Sequence, residues 1–151
     1  MTEREKTQDL VRRLFDAQRY TVLSTQSGTG PYCSLVAFWA ANDLSHTLFA
    51  TMRETRKFAN LAVQPRVAML FDDRSNQESD VERATAVTAT GIARELTGAG
   101  DRARAAADFV TKHPQLADFV ASPGCALVRV DLDILYVVTR FESVAVLHVA
   151  R

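Results

Sequence analysis

The apolar residues of the N-terminal segment recur at helical spacing. Thr2, followed three residues later by Glu5, has the pattern of a capping box. Four apolar residues then share one predicted helical face: Leu10, Val11, Leu14 and Phe15. This pattern predicts an amphipathic helix over residues 3–18 that lies across an apolar surface.

From Tyr20 onward the pattern changes to short β-rich runs bounded by turn residues. We predict strands over residues 20–25, 31–41, 47–51, 66–71, 85–96, 126–130, 134–141 and 144–149. Helical spacing returns over residues 55–63, from Asp101 to about Lys112, and in a short segment that Pro114 opens. Sequential strands joined mostly by short turns predict a mainly β fold, an antiparallel barrel that is closed or nearly closed, with helices packed outside.

One predicted strand is apolar on both faces. Residues 35–41 are seven apolar residues in a row, and Asn42 ends the run. A strand with one solvated face should alternate between apolar and polar residues. We therefore expect both faces to be covered, one by the core and the other by a ligand, a partner subunit or the first helix.

Length and charge narrow the class of protein. The 151 residues fit a single domain, residues 1–151, with the barrel over about 20–149. The 18 basic and 18 acidic residues balance, so we expect no nucleic acid and no membrane partner. No apolar run approaches a membrane span, and the charged start from Met1 to Lys6 is unlike a signal peptide, so we expect a cytoplasmic protein.

No metal site is predicted from the cysteines and histidines. Cys33 and Cys125 form no CxxC pair, and we interpret both as small hydrophobic residues. His46, His113 and His148 are scattered along the chain without metal-ligand spacing.

Thr55-Arg56-Lys57 stands at the start of the second predicted helix. Thr55 can cap this helix, whose free N–H groups and dipole attract anions. Helices ordinarily carry acidic residues in the first turn, so two adjacent cations there suggest a bound anion such as a phosphate. A solvated Arg-Lys pair without a ligand is the alternative.

The polar segment over residues 72–83 is long for a connection in a compact domain. Arg74, Ser75 and Asn76 lie in it, and they either contact a ligand or form a solvated loop. Asp72 and Asp73 have no partner at catalytic spacing, and signatures of Ser or Cys nucleophiles are absent from the sequence. The sequence therefore does not identify a catalytic acid or base, and the catalytic residues stay unknown.

Several short segments occur together in register. They are Gly30-Pro31 before the apolar strand, Phe49-Ala50-Thr51, Thr55-Arg56-Lys57, Gln64-Pro65-Arg66-Val67-Ala68-Met69-Leu70, and Gly91 in the fifth strand. In this combination, from about residue 20 to residue 97, the chain resembles the FMN-binding split-barrel family of pyridoxamine 5'-phosphate oxidase-like proteins. The resemblance implies an antiparallel split β-barrel, FMN as cofactor, and a homodimer with the cofactor at the subunit interface.

The resemblance also assigns roles to residues. Thr51 and Thr55 would hydrogen-bond the flavin phosphate or the ribityl chain, and Arg56 and Lys57 would bind the phosphate. With the loop residues, the predicted cofactor-binding set is Ser34, Leu35, Val36, Ala37, Ala50, Thr51, Thr55, Arg56, Lys57, Arg74 and Asn76.

Three positions depart from the true oxidase. Ser34 replaces an Arg, Trp39 replaces a Lys that helps to hold the substrate phosphate, and Ala86 replaces a flavin-contacting Gln. The substrate-binding C-terminal region also has no match, so we do not expect pyridoxamine phosphate oxidation. We expect an FMN-dependent oxidoreductase that uses a reduced nicotinamide or another small-molecule donor. The alternatives are a deazaflavin-dependent reductase, a flavin or haem storage protein without turnover, and a structural dimer with an empty groove.

Overall fold

The computed structural model describes residues 1–150. Its strands are β1 Tyr20–Ser27, β2 Gly30–Ala40, β3 His46–Met52, β4 Arg66–Asp72, β5 Thr85–Glu95, β6 Cys125–Thr139 and β7 Ser143–His148. Its α-helices are α1 Glu3–Ala17, α2 Arg56–Val63, α3 Asp80–Arg83, α4 Ala99–Lys112 and α5 Ala117–Ala121, and a 3-10 turn spans Pro114–Leu116.

The strands form an antiparallel barrel. Their order is β3-β2-β1-β4-β5-β6, and the pairing of β3 with β6 closes it. Strand β7 pairs with β6 alone. The predicted fold class, an antiparallel barrel with helices outside, is confirmed.

Strand β6 corrects the predicted boundaries near the C-terminus. We predicted separate strands over residues 126–130 and 134–141, but Cys125–Thr139 is one continuous strand. Asp131 lies between the two predicted strands, and its carboxylate accepts from the guanidinium groups of Arg94 and Arg129, so it is compatible with a strand. The pairing of β5 with β6 shifts register between Thr90 and Gly91, as at a β-bulge.

Helix α1 packs on the barrel core. The capping box is present, since Glu5 N–H donates to Thr2 Oγ1 at 3.1 Å and Thr2 N–H donates to Glu5 Oε2 at 2.8 Å. The Phe15 ring lies 4.4 Å from the Phe71 ring and 6.0 Å from the Phe38 ring, measured between centroids. The predicted amphipathic helix is confirmed, and it ends one residue early, at Ala17.

The two cysteines differ in environment. Cys125 is buried, as predicted for a small hydrophobic residue, whereas Cys33 is exposed. Cys33 lies opposite Ser24 on the outer side of the barrel wall, where neither residue is buried. Burial of Cys33 is therefore a prediction that the single chain contradicts.

Candidate functional site

The barrel wall is split between β2 and β3. These strands pair only at three positions, Phe38, Trp39 and Ala40 of β2. From Ala37 back to Gly30, strand β2 pairs with β1 on one side and has no strand on the other. A cavity of about 440 Å³ opens at this split.

The cavity brings together seven of the predicted cofactor-binding residues. These are Leu35, Val36, Ala37, Ala50, Thr51, Thr55 and Lys57. They come from three separate elements: the unpaired part of β2, the end of β3, and the start of α2. The unpaired part of one strand, the end of another and a helix start therefore meet at one concave surface, which is the usual form of a small-molecule site.

The peptide groups of β2 are directed into the split. Phe38 N–H donates to the carbonyl of Arg19 at 3.2 Å, so the peptide groups of Phe38 face β1. Because successive residues of a strand direct their peptide groups to opposite sides, those of Ala37 and Leu35 face away from β1. They can offer N–H and C=O groups to the polar edge of a flat ring.

The start of α2 forms the polar end of the cavity. Thr55 is the N-cap residue, and its Oγ1 accepts from Phe58 N–H at 3.4 Å. The hydroxyl of Thr51, itself buried, lies 3.0 Å from the hydroxyl of Thr55. The first turn of α2 contains no acidic residue, and no acidic side chain among residues 1–150 forms an ion pair with Lys57.

Arg56 occupies a neighbouring position outside the cavity lining. Its guanidinium lies over the Tyr32 ring of β2, 5.5 Å from the ring centroid. Within residues 1–150, Arg56 likewise forms no ion pair. Its charge is thus held beside the α2 start without a counter-ion from this chain.

Ser34 lies next to the cavity and does not line it. Its hydroxyl oxygen is buried and has no hydrogen-bond partner within residues 1–150. Buried hydroxyl groups are nearly always hydrogen-bonded, so this atom marks an unsatisfied position in β2 beside the split.

Arg74 and Asn76 are not among the residues that line the cavity. Arg74 pairs with Asp72 at 3.1 Å. The Asp80 carboxylate accepts the N–H groups of Ser75, Asn76 and Gln77, and these hydrogen bonds keep its pKa below the usual value. In the single chain these loop residues therefore bind one another, and their predicted role in cofactor binding stays a prediction.

Sequence reasoning missed the apolar wall of the cavity. Phe109 of α4, Leu116 of the 3-10 turn and Phe119 of α5 also line it. Leu116 and Phe119 share a helical face, which is a visible signal, but nothing in the local pattern shows that this face meets β2 and β3. Tyr20 and Met52 complete the lining.

The cavity contains no acid–base pair. Asp72 pairs with Arg74, and the Asp73 carboxylate accepts from Thr85 N–H at 2.7 Å, so both carboxylates are engaged away from the lining.

No group of three or more potential metal-ligating side chains occurs within residues 1–150. None of the helices in this part of the chain is both long and apolar enough to cross a membrane.

The fold and the split define this chain as an antiparallel split-barrel protein. It belongs to the pyridoxamine 5'-phosphate oxidase family, whose family model matches residues 7–144. The family that the sequence motifs resemble is thereby confirmed. A search of curated proteins finds no match.

Solved structures with low sequence identity share the fold. A haem-binding protein from Mycobacterium smegmatis has a TM-score of 0.81 at 15% identity, with 93% of this chain and 57% of that one covered. HutZ, a haem storage protein from Vibrio cholerae, has a TM-score of 0.71 at 14% identity, with 83% and 89% covered. An FAD-binding protein from Mesorhizobium loti has a TM-score of 0.68 at 14% identity, with 91% and 94% covered.

Proposed function

We propose that this protein binds FMN in the cavity at the split and uses it to move electrons from a reduced nicotinamide or another small organic donor to an acceptor. One observation carries the proposal. A single cavity joins the start of α2 to the unpaired edge of β2. Its polar groups are the hydroxyls of Thr51 and Thr55 and the ammonium group of Lys57. An anionic group and a flat ring joined by a short chain match the two ends of that cavity.

The positive charge at the polar end of the cavity matches the negative charge of a phosphate. A phosphate monoester carries about −1.5 to −2 charges near neutral pH. Arg56 and Lys57 supply two positive charges that no carboxylate of residues 1–150 neutralises by ion pairing. Three charge-assisted hydrogen bonds of about 1.5 to 3 kcal/mol each give roughly 5 to 9 kcal/mol, and a micromolar complex requires about 8 kcal/mol.

The other end fits a flat, largely apolar ring. Phe109, Leu116 and Phe119 form its wall, and the peptide groups of Leu35 and Ala37 face the split. Bound flavin supplies the hydride and electron transfer chemistry. The residues of this chain anchor the phosphate, orient the ring and keep water from one side of it.

A second copy of the chain would complete the site. One row of directly opposed residues crosses six strands on the outside of the barrel: Leu35, Val22, Leu70, Thr88, Tyr136 and Val146. Five of the six are apolar or aromatic, and Leu35, Tyr136 and Val146 are 69%, 38% and 46% exposed. Because contiguous exposed apolar surface marks association sites, and Leu35 also lines the cavity, we propose a homodimer with the cofactor at its interface.

Haem is the second candidate, because two proteins of similar fold are named for haem binding or storage. Haem iron is bound by His, Cys, Met or Tyr side chains. The cavity lining has no His or Cys, and Tyr20 and Met52 are its two residues of the other types. The phosphate-binding character of α2 favours FMN, and a deazaflavin with a phosphate would use the same contacts.

An absorption spectrum of the purified protein tests the proposal. FMN gives one near-ultraviolet band and one visible band. Haem gives an intense Soret band, and deazaflavin absorbs at shorter wavelength than FMN. Titration of cofactor-free protein with FMN, riboflavin and haemin follows, and we expect FMN to bind most tightly. NADH-dependent reduction of the bound flavin faster than that of free flavin would support turnover, and an equal rate would support storage. Tighter binding of haemin than of FMN would overturn the proposal.

A further inference from the structure

His113, the residue after α4, is fully buried and touches the strand that borders the split. Its Nε2 lies 2.8 Å from the carbonyl oxygen of Phe38, which accepts the ring proton. Its ring also lies 4.9 Å from the ring of Phe109, which belongs to the cavity wall. One side chain thus contacts both β2 and the wall.

The hydrogen bond from His113 replaces a missing strand contact. Phe38 N–H donates to the Arg19 carbonyl, as in an antiparallel pair, but within residues 1–150 Arg19 N–H does not donate back to Phe38. Strand β1 begins at Tyr20, opposite Ala37, so Phe38 lies just beyond the end of that ladder. The imidazole of His113 therefore satisfies a buried carbonyl that the sheet leaves unpaired.

Lys112 holds the side chain of Phe38, the residue whose carbonyl His113 binds. Its Nζ lies 3.9 Å from the centroid of the Phe38 ring and donates to the carbonyl of Phe15 at 2.9 Å. Adjacent residues at the end of α4 consequently fix the backbone and the ring of Phe38. This is the last position before Ala37, where β2 separates from β3.

We propose that His113 is a positioning residue for the flavin ring. By holding the Phe38 carbonyl it fixes the peptide edge of Ala37, one residue away, and by packing on Phe109 it sets the distance between that edge and the apolar wall. His113 does not line the cavity and acts through these two residues. The inference rests on the proposed function, and it assigns to His113 the ring end of the site, separate from the phosphate end at α2.

The test compares His113→Leu, which removes the donor at similar volume, with His113→Gln, whose amide can donate to Phe38. Affinities for FMN and for riboflavin are measured by quenching of flavin fluorescence. Because riboflavin has no phosphate, a defect at the ring end should weaken both ligands equally. We expect His113→Leu to weaken each about tenfold, because binding must then also order the displaced peptide edge of Ala37, at a cost of about 1.4 kcal/mol. His113→Gln should restore both affinities to within about threefold of the original, since its hydrogen bond is retained.

A cofactor-free measurement separates this inference from the proposed function. Trp39 is the single tryptophan and follows Phe38 in β2, so its emission reports the position of the strand at the split. We expect emission at longer wavelength in His113→Leu and no change in Val137→Ala, a core truncation in β6 that controls for general destabilisation. If His113→Leu does not fold, His113→Asn, whose shorter side chain withdraws the donor, takes its place.

Different results would overturn the role of His113 and the proposed flavin-binding function. Unchanged riboflavin affinity together with unchanged Trp39 emission in a folded His113→Leu protein would overturn the role of His113. Absence of flavin binding by the unaltered protein would overturn the proposed function, and Trp39 emission would then decide whether His113 positions β2. Weakening of FMN alone, with riboflavin unaffected, would assign the defect to the phosphate end and would also count against the inference.

Discussion

The hydroxyl of Thr51, in β3, lies 3.0 Å from the hydroxyl of Thr55, the N-cap residue of α2. Thr55 Oγ1 also lies 2.9 Å from the carbonyl oxygen of Met52, to which it can donate. The two threonines therefore join a strand end to a helix start at the polar end of the cavity.

The charges beside this junction should determine retention of FMN. We expect Arg56→Ala combined with Lys57→Ala to abolish FMN retention through purification, because the phosphate loses both cations. Binding is measured by fluorescence titration. Lys6→Ala combined with Arg13→Ala removes the same charge from the exposed face of α1 and serves as the control. Equal FMN affinity in the two double variants would show that the phosphate binds elsewhere.

The cap at Thr55 should matter for stability as well as binding. Thr55→Ala removes the acceptor for Phe58 N–H, and loss of an N-cap hydroxyl costs about 1 kcal/mol in the free energy of unfolding. Thr55→Ser keeps the hydroxyl and should stay close to the original protein. Urea unfolding gives the free energies of unfolding. Equal values for Thr55→Ala and Thr55→Ser would contradict the cap assignment.

Homodimer formation predicts an effect of charge at Leu35. Leu35→Arg places a cation in the exposed apolar row and at the edge of the cavity, so we expect monomers with weakened FMN binding. Val63→Arg makes the same change on α2 at a residue that is 87% exposed and outside the row, and it should leave the assembly unchanged. Size-exclusion chromatography with light scattering distinguishes the two results. A Leu35→Arg protein with the mass of the original would contradict the proposed interface.

Gly91 lies at the register shift between β5 and β6, against the backbone of β6. A Cβ atom there would collide with the carbonyl oxygen of Asp131 and lie 2.8 Å from Cγ1 of Val130. We expect Gly91→Ala to lower the free energy of unfolding by about 2 kcal/mol, as overpacking does in well-packed regions. Gly28→Ala is the matched control, since no atom lies within 4 Å of its added Cβ. Similar denaturation midpoints for the two variants would show that β6 yields to the extra methyl group.

Lys112 predicts a pH dependence of stability. Burial lowers the pKa of its ammonium group from 10.5 to about 8, while Asp16 opposes this shift and Arg19 adds to it. Between these values the unfolded chain binds the proton more strongly, so stability should rise as the pH rises from about 8 to 10.5. Below about pH 8 both states carry the proton and this contribution no longer changes.

The measurement for Lys112 is urea unfolding at several pH values, with Lys112→Met as comparison. The variant also loses the hydrogen bond to Phe15, so its absolute stability is not the readout. The slope of unfolding free energy against pH should be smaller in the variant than in the original protein. Parallel slopes would mean that Lys112 keeps its ordinary pKa in the folded state.

The sequence was sufficient for those features that depend on neighbouring residues. Alternation and turn residues predicted the strands, and Thr55-Arg56-Lys57 lies in one contiguous segment whose helix start follows from local capping. The wall formed by Phe109, Leu116 and Phe119 depends instead on how α4 and α5 dock on strands far away in the chain. No periodicity in a single sequence encodes that docking.

Local patterns also left the partners of two carboxylates undetected. Two strands were predicted where β6 is one, because the pattern does not show that Arg94 of β5 and Arg129 of β6 pair with Asp131 within the sheet. The polar loop after β4 left ligand contact and a solvated loop open as alternatives, and in the structure Asp80 accepts from three of the loop's backbone N–H groups. In both cases a carboxylate found partners that composition alone does not identify.

Strand β6 makes folding of the barrel a late event during synthesis. It pairs with β3, β5 and β7, so the barrel cannot close until residues 125–139 have left the ribosome. Until then β3 and β5 present open edges, which are the sites where unfinished sheets pair with other chains. Substitutions that weaken β6 should therefore reduce soluble yield in the cell more than they reduce the stability of protein that has already folded.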